Sequence, residues 1–115
     1  MNNQTNMMCE FNHWYYEDDG YVVQCIHCGT FQIGFESTLL TLSHSEYAAF
    51  KRMVDANVLN LKPACEAHRK SIVLPTPSYH VHLMLSENEL LSLHNMLELT
   101  DTAMQTVAML KLFYP

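Results

Sequence analysis

Cys25-Ile26-His27-Cys28-Gly29 stands between two short runs of strand-forming residues, Tyr21-Val22-Val23-Gln24 and Phe31-Gln32-Ile33-Gly34-Phe35. Two cysteines two residues apart, followed by glycine at a strand-to-strand turn, have the form of a zinc knuckle. Both thiolates come from one tight turn and can share an ion, and the glycine lets the backbone fold beneath it. A thioredoxin-like redox pair would instead open a helix, where the macrodipole lowers the thiol pKa. Gly29-Thr30-Phe31 reads as turn and strand, so metal is favoured over a redox pair or two core thiols. The knuckle thus confines the N-terminal part of the chain to a hairpin that gathers ligands at one end.

Two ligand sets can complete it. In the first, Cys9 and His13 join Cys25 and Cys28, and the segment between the pairs is a hairpin: Trp14-Tyr15-Tyr16, the turn Glu17-Asp18-Asp19-Gly20, then Tyr21-Val22-Val23. This is a zinc-ribbon arrangement, favoured because its short loop loses little closure entropy. In the second, Cys65 and His68 join Cys25 and Cys28, from which they stand 40 residues away. Mixed sets, such as Cys9, Cys25 and Cys28 with Cys65 or His68, are also compatible, and Cys65 equally suits a small buried apolar residue. A closed four-ligand site of Cys and His has no place for a substrate water, so the expected zinc is structural. His80 and His82 share one strand face and offer a second chelate, although a solvent-facing polar side is the simpler account. His44 in a helix cap and His94 beside a leucine stripe call for no chemistry.

Downstream, a pattern occurs twice. Phe31, Ile33 and Phe35 alternate, Leu40 and Leu42 alternate after a turn near Glu36-Ser37, and Ser43-His44-Ser45-Glu46 reads as a capping box. Tyr47, Phe50 and Val54 then give a helix with one buried face, ending near Asn57. Ile72 and Leu74 form a second short strand before Pro75-Thr76-Pro77, and Tyr79-Val81-Leu83-Leu85 alternates. Ser86-Glu87-Asn88-Glu89 is another capping box, and Leu90, Leu93 and Leu97 repeat the stripe. Leu40, Leu42, Ser43, Glu46, Phe50 and Val54 match Leu83, Leu85, Ser86, Glu89, Leu93 and Leu97 at an offset of 43, while Phe31 and Ile33 match Ile72 and Leu74 at 41. Neither strand-strand-helix (ββα) unit can bury its sheet and helix faces alone, so the two should pair through a shared sheet or core.

The expected architecture is therefore α+β: a zinc-ribbon-like hairpin followed by two ββα units in one domain, residues 1–115. Within it, 1–8 are expected to be disordered, 9–29 to form the hairpin, 30–57 and 71–99 the two units, and 100–115 a helical tail opened by a cap at Thr100 or Asp101. The tail, apolar with few charges, suits packing on its own domain or a dimer contact.

Composition narrows the function. Six Lys plus Arg against twelve Asp plus Glu give a net charge of −6, which phosphate backbones repel, so nucleic acid is a disfavoured partner. Met1-Asn2-Asn3-Gln4-Thr5-Asn6 has neither a basic cluster nor an apolar run, and no apolar stretch reaches the roughly 18 residues of a membrane span. A cytoplasmic, reducing setting is expected, where cysteines bind metal more often than they pair. No Gly-x-x-x-x-Gly-Lys loop, Gly-x-Ser-x-Gly elbow or His-Glu-x-x-His motif occurs. The leading expectation is a non-enzymatic binding or regulatory module stabilised by zinc, whose partner is another protein or a second copy. A zinc-dependent hydrolase or thiol redox protein is the alternative, and a nucleic-acid adaptor comes third.

The order Cys9-Glu10, Gly20-Tyr21-Val22-Val23, Cys25-x-x-Cys28, Phe31-Gln32-Ile33-Gly34-Phe35, then Leu74-Pro75-Thr76 before Ser86-x-x-Glu89-Leu90 resembles a family of small uncharacterised proteins of Bacteroidetes-type bacteria, classed as a domain of unknown function. The resemblance covers roughly residues 9 to 99 and implies a shared fold and a bacterial cytosolic setting, with no known activity.

Overall fold

The computed structural model describes residues 10–62 and 68–114. Cys9, Cys65 and the expected disordered N-terminus lie outside the described residues. The architecture is α+β: a four-stranded antiparallel sheet, a helix, a two-stranded antiparallel sheet and a long helix.

The first sheet is a meander of β1 (Phe11–Glu17), β2 (Gly20–Cys25), β3 (Phe31–Phe35) and β4 (Thr38–Leu42), paired in chain order. Its first turn is tighter than the four residues expected, because Glu17 already pairs with Gly20 across Asp18-Asp19. The Glu36-Ser37 turn joins the paired Phe35 and Thr38, and Glu36 adopts a left-handed φ of 53° to close it. In β1 the register shifts between His13, opposite Val23, and Tyr15, opposite Val22, so that Trp14 is an extra, bulged residue. The bulge lets Trp14 and Tyr15 both pack towards the core formed by Val22, Phe31, Ile33, Phe35 and Leu42. On the opposite face the Tyr21 ring lies across Gly34, where any Cβ would come within 2.4 Å of it.

Helix α1 (His44–Leu59) opens with the expected box: Ser43 Oγ accepts from the Glu46 N–H at 3.2 Å, and the Glu46 carboxylate accepts from the Ser43 N–H at 2.8 Å. It runs two residues beyond the expected end and buries Tyr47, Phe50 and Val54. Phe31 stacks on Tyr47 with ring centroids 4.1 Å apart, joining sheet to helix.

The second unit has the same plan. Strands β5 (Ile72–Pro75) and β6 (His82–Leu85) pair antiparallel, then Ser86 and Glu89 form the second box, at 3.1 and 2.9 Å, and start helix α2 (Glu87–Phe113). Strand pairing explains the two offsets. Phe31 faces Leu42 and Ile33 faces Leu40, just as Ile72 faces Leu85 and Leu74 faces Leu83. Between the matched pairs the second hairpin is therefore two residues longer. The extra length falls in the Pro75–Val81 turn, closed by the Thr76 hydroxyl, which donates to the Val81 carbonyl at 2.7 Å.

One expectation is narrowed and two change. The units share a core and no sheet: β5 and β6 form a sheet of their own, while Leu74, Leu83, Leu85, Leu90, Leu93, Met96 and Leu97 join Val22, Phe31, Phe50 and Val54 in one buried cluster. His80 lies in the turn before β6, edge-on to Tyr79, and only His82 is in the strand, so the two do not share a strand face. No new helix begins at Thr100 or Asp101. Helix α2 runs unbroken through both for 27 residues, roughly 40 Å, because Thr100 is buried in the core stripe and Asp101 accepts from the Tyr47 hydroxyl. Among the described residues no helix is long and apolar enough to cross a membrane.

If the two units are energetic equivalents, Ser43→Ala and Ser86→Ala should each cost about 1 kcal/mol of stability. Phe50→Ala and Leu93→Ala should each cost about 2 to 5 kcal/mol. Urea titration of the four variants measures this, and a harmless Leu93→Ala beside an unfolding Phe50→Ala would break the equivalence.

Candidate metal centre

Cys25 is the last residue of β2, and the chain turns over the next five residues to re-enter the sheet at Phe31. Three backbone bonds hold the turn. The Cys25 N–H donates to the Thr30 carbonyl at 2.8 Å, the Gly29 N–H to the Cys25 carbonyl at 2.9 Å, and the Ile26 N–H to the Glu10 carbonyl at 2.8 Å. Gly29 takes a φ of 77°, the left-handed conformation that makes glycine the fitting residue there. The Cys28 N–H points at Cys25 Sγ, 3.5 Å away, and Cys28 Sγ lies 3.3 Å from Thr30 Oγ1. A peptide N–H directed at sulfur is also the geometry found around metal-bound thiolates. Cys25 is buried while Cys28 is exposed, so the turn offers one inner and one outer thiol.

Two residues that the local pattern did not single out brace this turn. The Gln24 side-chain amide donates to the Gly29 carbonyl at 3.3 Å and accepts from the Trp14 indole N–H at 3.1 Å. The β1 bulge thereby positions the knuckle, as outer groups position metal ligands generally. Gln24 carried a signal in hindsight, being polar on the strand face that otherwise presents Val22 to the core.

The other proposed ligands divide. His13 pairs with Val23 and so shares a sheet face with Cys25, diagonally across the β1–β2 ladder. His68 Nδ1 lies 3.2 Å from the Asn88 side-chain amide in the first turn of α2. Among the described residues neither histidine brings its ligand atom into a three-ligand group with Cys25 and Cys28. Cys9 and Cys65 lie outside the described residues.

The one such group among the described residues is Asp55, His94 and Glu98, on the seam between the helices. His94 Nδ1 is 3.0 Å from Asp55 Oδ1, while Lys51 Nζ bridges Asp55 at 2.9 Å and Glu98 at 2.8 Å and lies 3.6 Å from Asp101. Lys51 already neutralises two of the three candidate ligands, Asp55 and Glu98, so the group reads as an ion-paired seam. It has an internal logic: Lys51 and Asp55 match His94 and Glu98 at the same offset of 43. Each helix's basic residue meets the acid of the other, the reciprocal pattern of a two-fold interface, here within one chain. The i, i+4 spacing of both pairs was visible in the sequence, but which helix faced which was not.

Electrostatics follow from this geometry. Burial opposes the charge on Lys51, yet its bonds to Glu98 and Asp55 and the attraction of Asp55 and Asp101 outweigh it and hold the ammonium pKa above that of ordinary lysine. Burial, then the Asp101 carboxylate that accepts its proton at 3.1 Å, pushes the Tyr47 phenol far above its usual value. Tyr15 is pushed up to about 12, first by burial and then by its bond to Asp19. Asp19 also accepts from the Ser92 hydroxyl at 3.1 Å, tying the first hairpin to α2.

The chain belongs to a family of unknown function, DUF6686, whose model matches residues 6–114. The match includes the helical tail, which the resemblance had left outside. No curated protein and no solved structure matches the chain.

The raised Tyr47 pKa gives a signed pH dependence. The neutral phenol's contribution is complete below about pH 10, where the unfolded tyrosine keeps its proton, and is lost as pH climbs towards the folded value. Above pH ~10, stability should fall by up to about 1.4 kcal/mol per pH unit from this group alone. Tyr47→Phe should flatten that decline while costing about 1 kcal/mol at neutral pH through the lost bond to Asp101. Urea unfolding at a series of alkaline pH values checks both, and identical slopes would contradict the assignment.

Proposed function

We propose that this member of the DUF6686 family is a non-enzymatic binding or regulatory module whose Cys25–Cys28 knuckle carries a structural zinc ion. The observation that carries the reading is the turn itself: a Cys28 N–H aimed at Cys25 Sγ, over a loop closed by the Gly29 N–H on the Cys25 carbonyl. That arrangement suits two thiolates on one cation. It does not suit a redox pair, since no helix starts at Cys25.

Cys9 and His13 complete the preferred ligand set, as a zinc ribbon. His13's position on the Cys25 face supports it. Cys65 and His68 are the alternates. In either set four protein ligands fill a tetrahedral ion, which makes the zinc a fold-stabilising element with no open position for substrate. The setting we infer is a reducing, bacterial cytoplasm, and the partner another protein or a second copy. The acidic surface, net −6, argues against nucleic acid.

Protein purified without added zinc should carry one zinc per chain, and Cys25→Ser or Cys28→Ser should abolish it. Removing the metal should unfold at least the β1–β2 hairpin, because four ligands gathered around an ion lose their organiser without it. Cys9→Ser and His13→Ala should weaken zinc far more than Cys65→Ser and His68→Ala, and the reverse ranking selects the alternate set. A metal-free chain that is folded and fully stable overturns the reading.

A further inference from the structure

Helix α2 outlasts its packing partner: it has 27 residues against 16 in α1. From residue 102 to 114 its only charge is Lys111, in a chain of net charge −6. A helix apolar on nearly all sides is ordinarily buried. Here Met104 packs on the core, but Leu99 is 48% exposed, Leu110 50% and Phe113 72%, with Met109 exposed beside them.

We propose that two copies of this chain associate through this part of α2, antiparallel, along the stripe Leu99, Ala103, Thr106, Leu110 and Phe113. The spacings of four, three, four and three residues make a coiled-coil seam, about a third of a turn around the helix from the face on the chain's own core. The stripe is self-complementary about Thr106, as a two-fold interface requires. Leu99 of one copy meets Phe113 of the other, small Ala103 meets Leu110, and the two Thr106 residues meet each other. The threonines cost no hydrogen bond on burial. Thr106 donates to the Thr102 carbonyl at 2.8 Å and Thr102 to the Glu98 carbonyl at 3.1 Å, so their hydroxyls are already satisfied within the helix.

Magnitude and charge choose the occupant. Some fifteen residues of seam, roughly 22 Å long, with an aromatic ring at each end, bury on the order of 1,000 Å² in total, the lower bound for a specific interface. At that lower bound a weak association is expected, with a Kd of about micromolar or above. The seam carries no acid, so two chains of the same sign meet where neither repels the other. A membrane surface would call for a basic face, and Lys111 alone does not supply one. The inference rests on the binding-module reading for its biological sense, naming the second copy as partner, but it does not depend on the zinc.

Sedimentation equilibrium of the full chain with its metal, from about 1 μM to several hundred micromolar to bracket such a Kd, tests it. Apparent mass should rise from 13.3 kDa towards twice that value. Leu110→Glu with Phe113→Glu should hold it at a single chain with an unchanged circular-dichroism spectrum. Thr106→Lys, which sets two like charges on the two-fold, should weaken association at least tenfold and decides the matter if the double variant loses helix. Leu59→Glu, at an exposed site on the end of α1, should leave it intact. A wild-type chain monomeric throughout, association surviving in Thr106→Lys, or a monomer that instead floats with phosphatidylcholine–phosphatidylglycerol vesicles would each overturn the proposal. Zinc measured on the same samples separates the two readings: a dimer without zinc refutes the knuckle alone, and a zinc-loaded monomer refutes self-association alone.

Discussion

The packing of α1 on α2 is the constraint on which the remaining structure depends. Each helix is held to its own hairpin by the turn that its capping box ends, and a two-stranded hairpin is marginal by itself. Only when Tyr47, Phe50 and Val54 meet Leu90, Leu93, Met96 and Leu97 does either hairpin gain a second layer to cover. The reciprocal pairing of Lys51 with Glu98 and of His94 with Asp55 lies at the edge of that contact. These contacts contribute less energy than the buried side chains but fix one register, since a slip of one helical turn would set Asp55 against Glu98. Tyr47 joins both kinds of contact, stacking on Phe31 of the first sheet and donating to Asp101 of α2.

The two units are equivalent in plan but not in elaboration. The first is extended by the β1–β2 hairpin, which supplies two more strands, Val22 to the core and the cysteine turn at its end. The second keeps a two-stranded sheet and instead extends its helix. The hairpin addition brings the candidate metal ligands, and the helix addition brings the exposed seam. Both features that suggest function thus lie outside the repeated units.

Much of this was legible in the sequence because it rests on local chemistry. Ser43 with Glu46 and Ser86 with Glu89 announce helix starts wherever they occur, since the box closes within four residues. Cys25, Cys28 and Gly29 announce a turn for the same reason. What escaped was non-local. The bulge at Trp14 is a property of register between two strands, and alternation in β1 alone does not show it. Thr100 and Asp101 read as a cap because both side chains favour that role, but burial claimed one and Tyr47 the other. The separate second sheet depends on what lies beside β5, which no pattern within β5 encodes. The bracing of the knuckle by Gln24 and Trp14 likewise joins residues from two strands and a turn.

The proposed zinc at Cys25 and Cys28 would be read from the first coordination shell of the metal. X-ray absorption at the zinc edge on the full chain should show a first shell dominated by sulfur at about 2.3 Å, with at least two sulfurs and any remainder nitrogen at about 2.0 to 2.1 Å. A zinc ion coordinated by nitrogen and oxygen alone would show that Cys25 and Cys28 do not hold it, and would contradict the account.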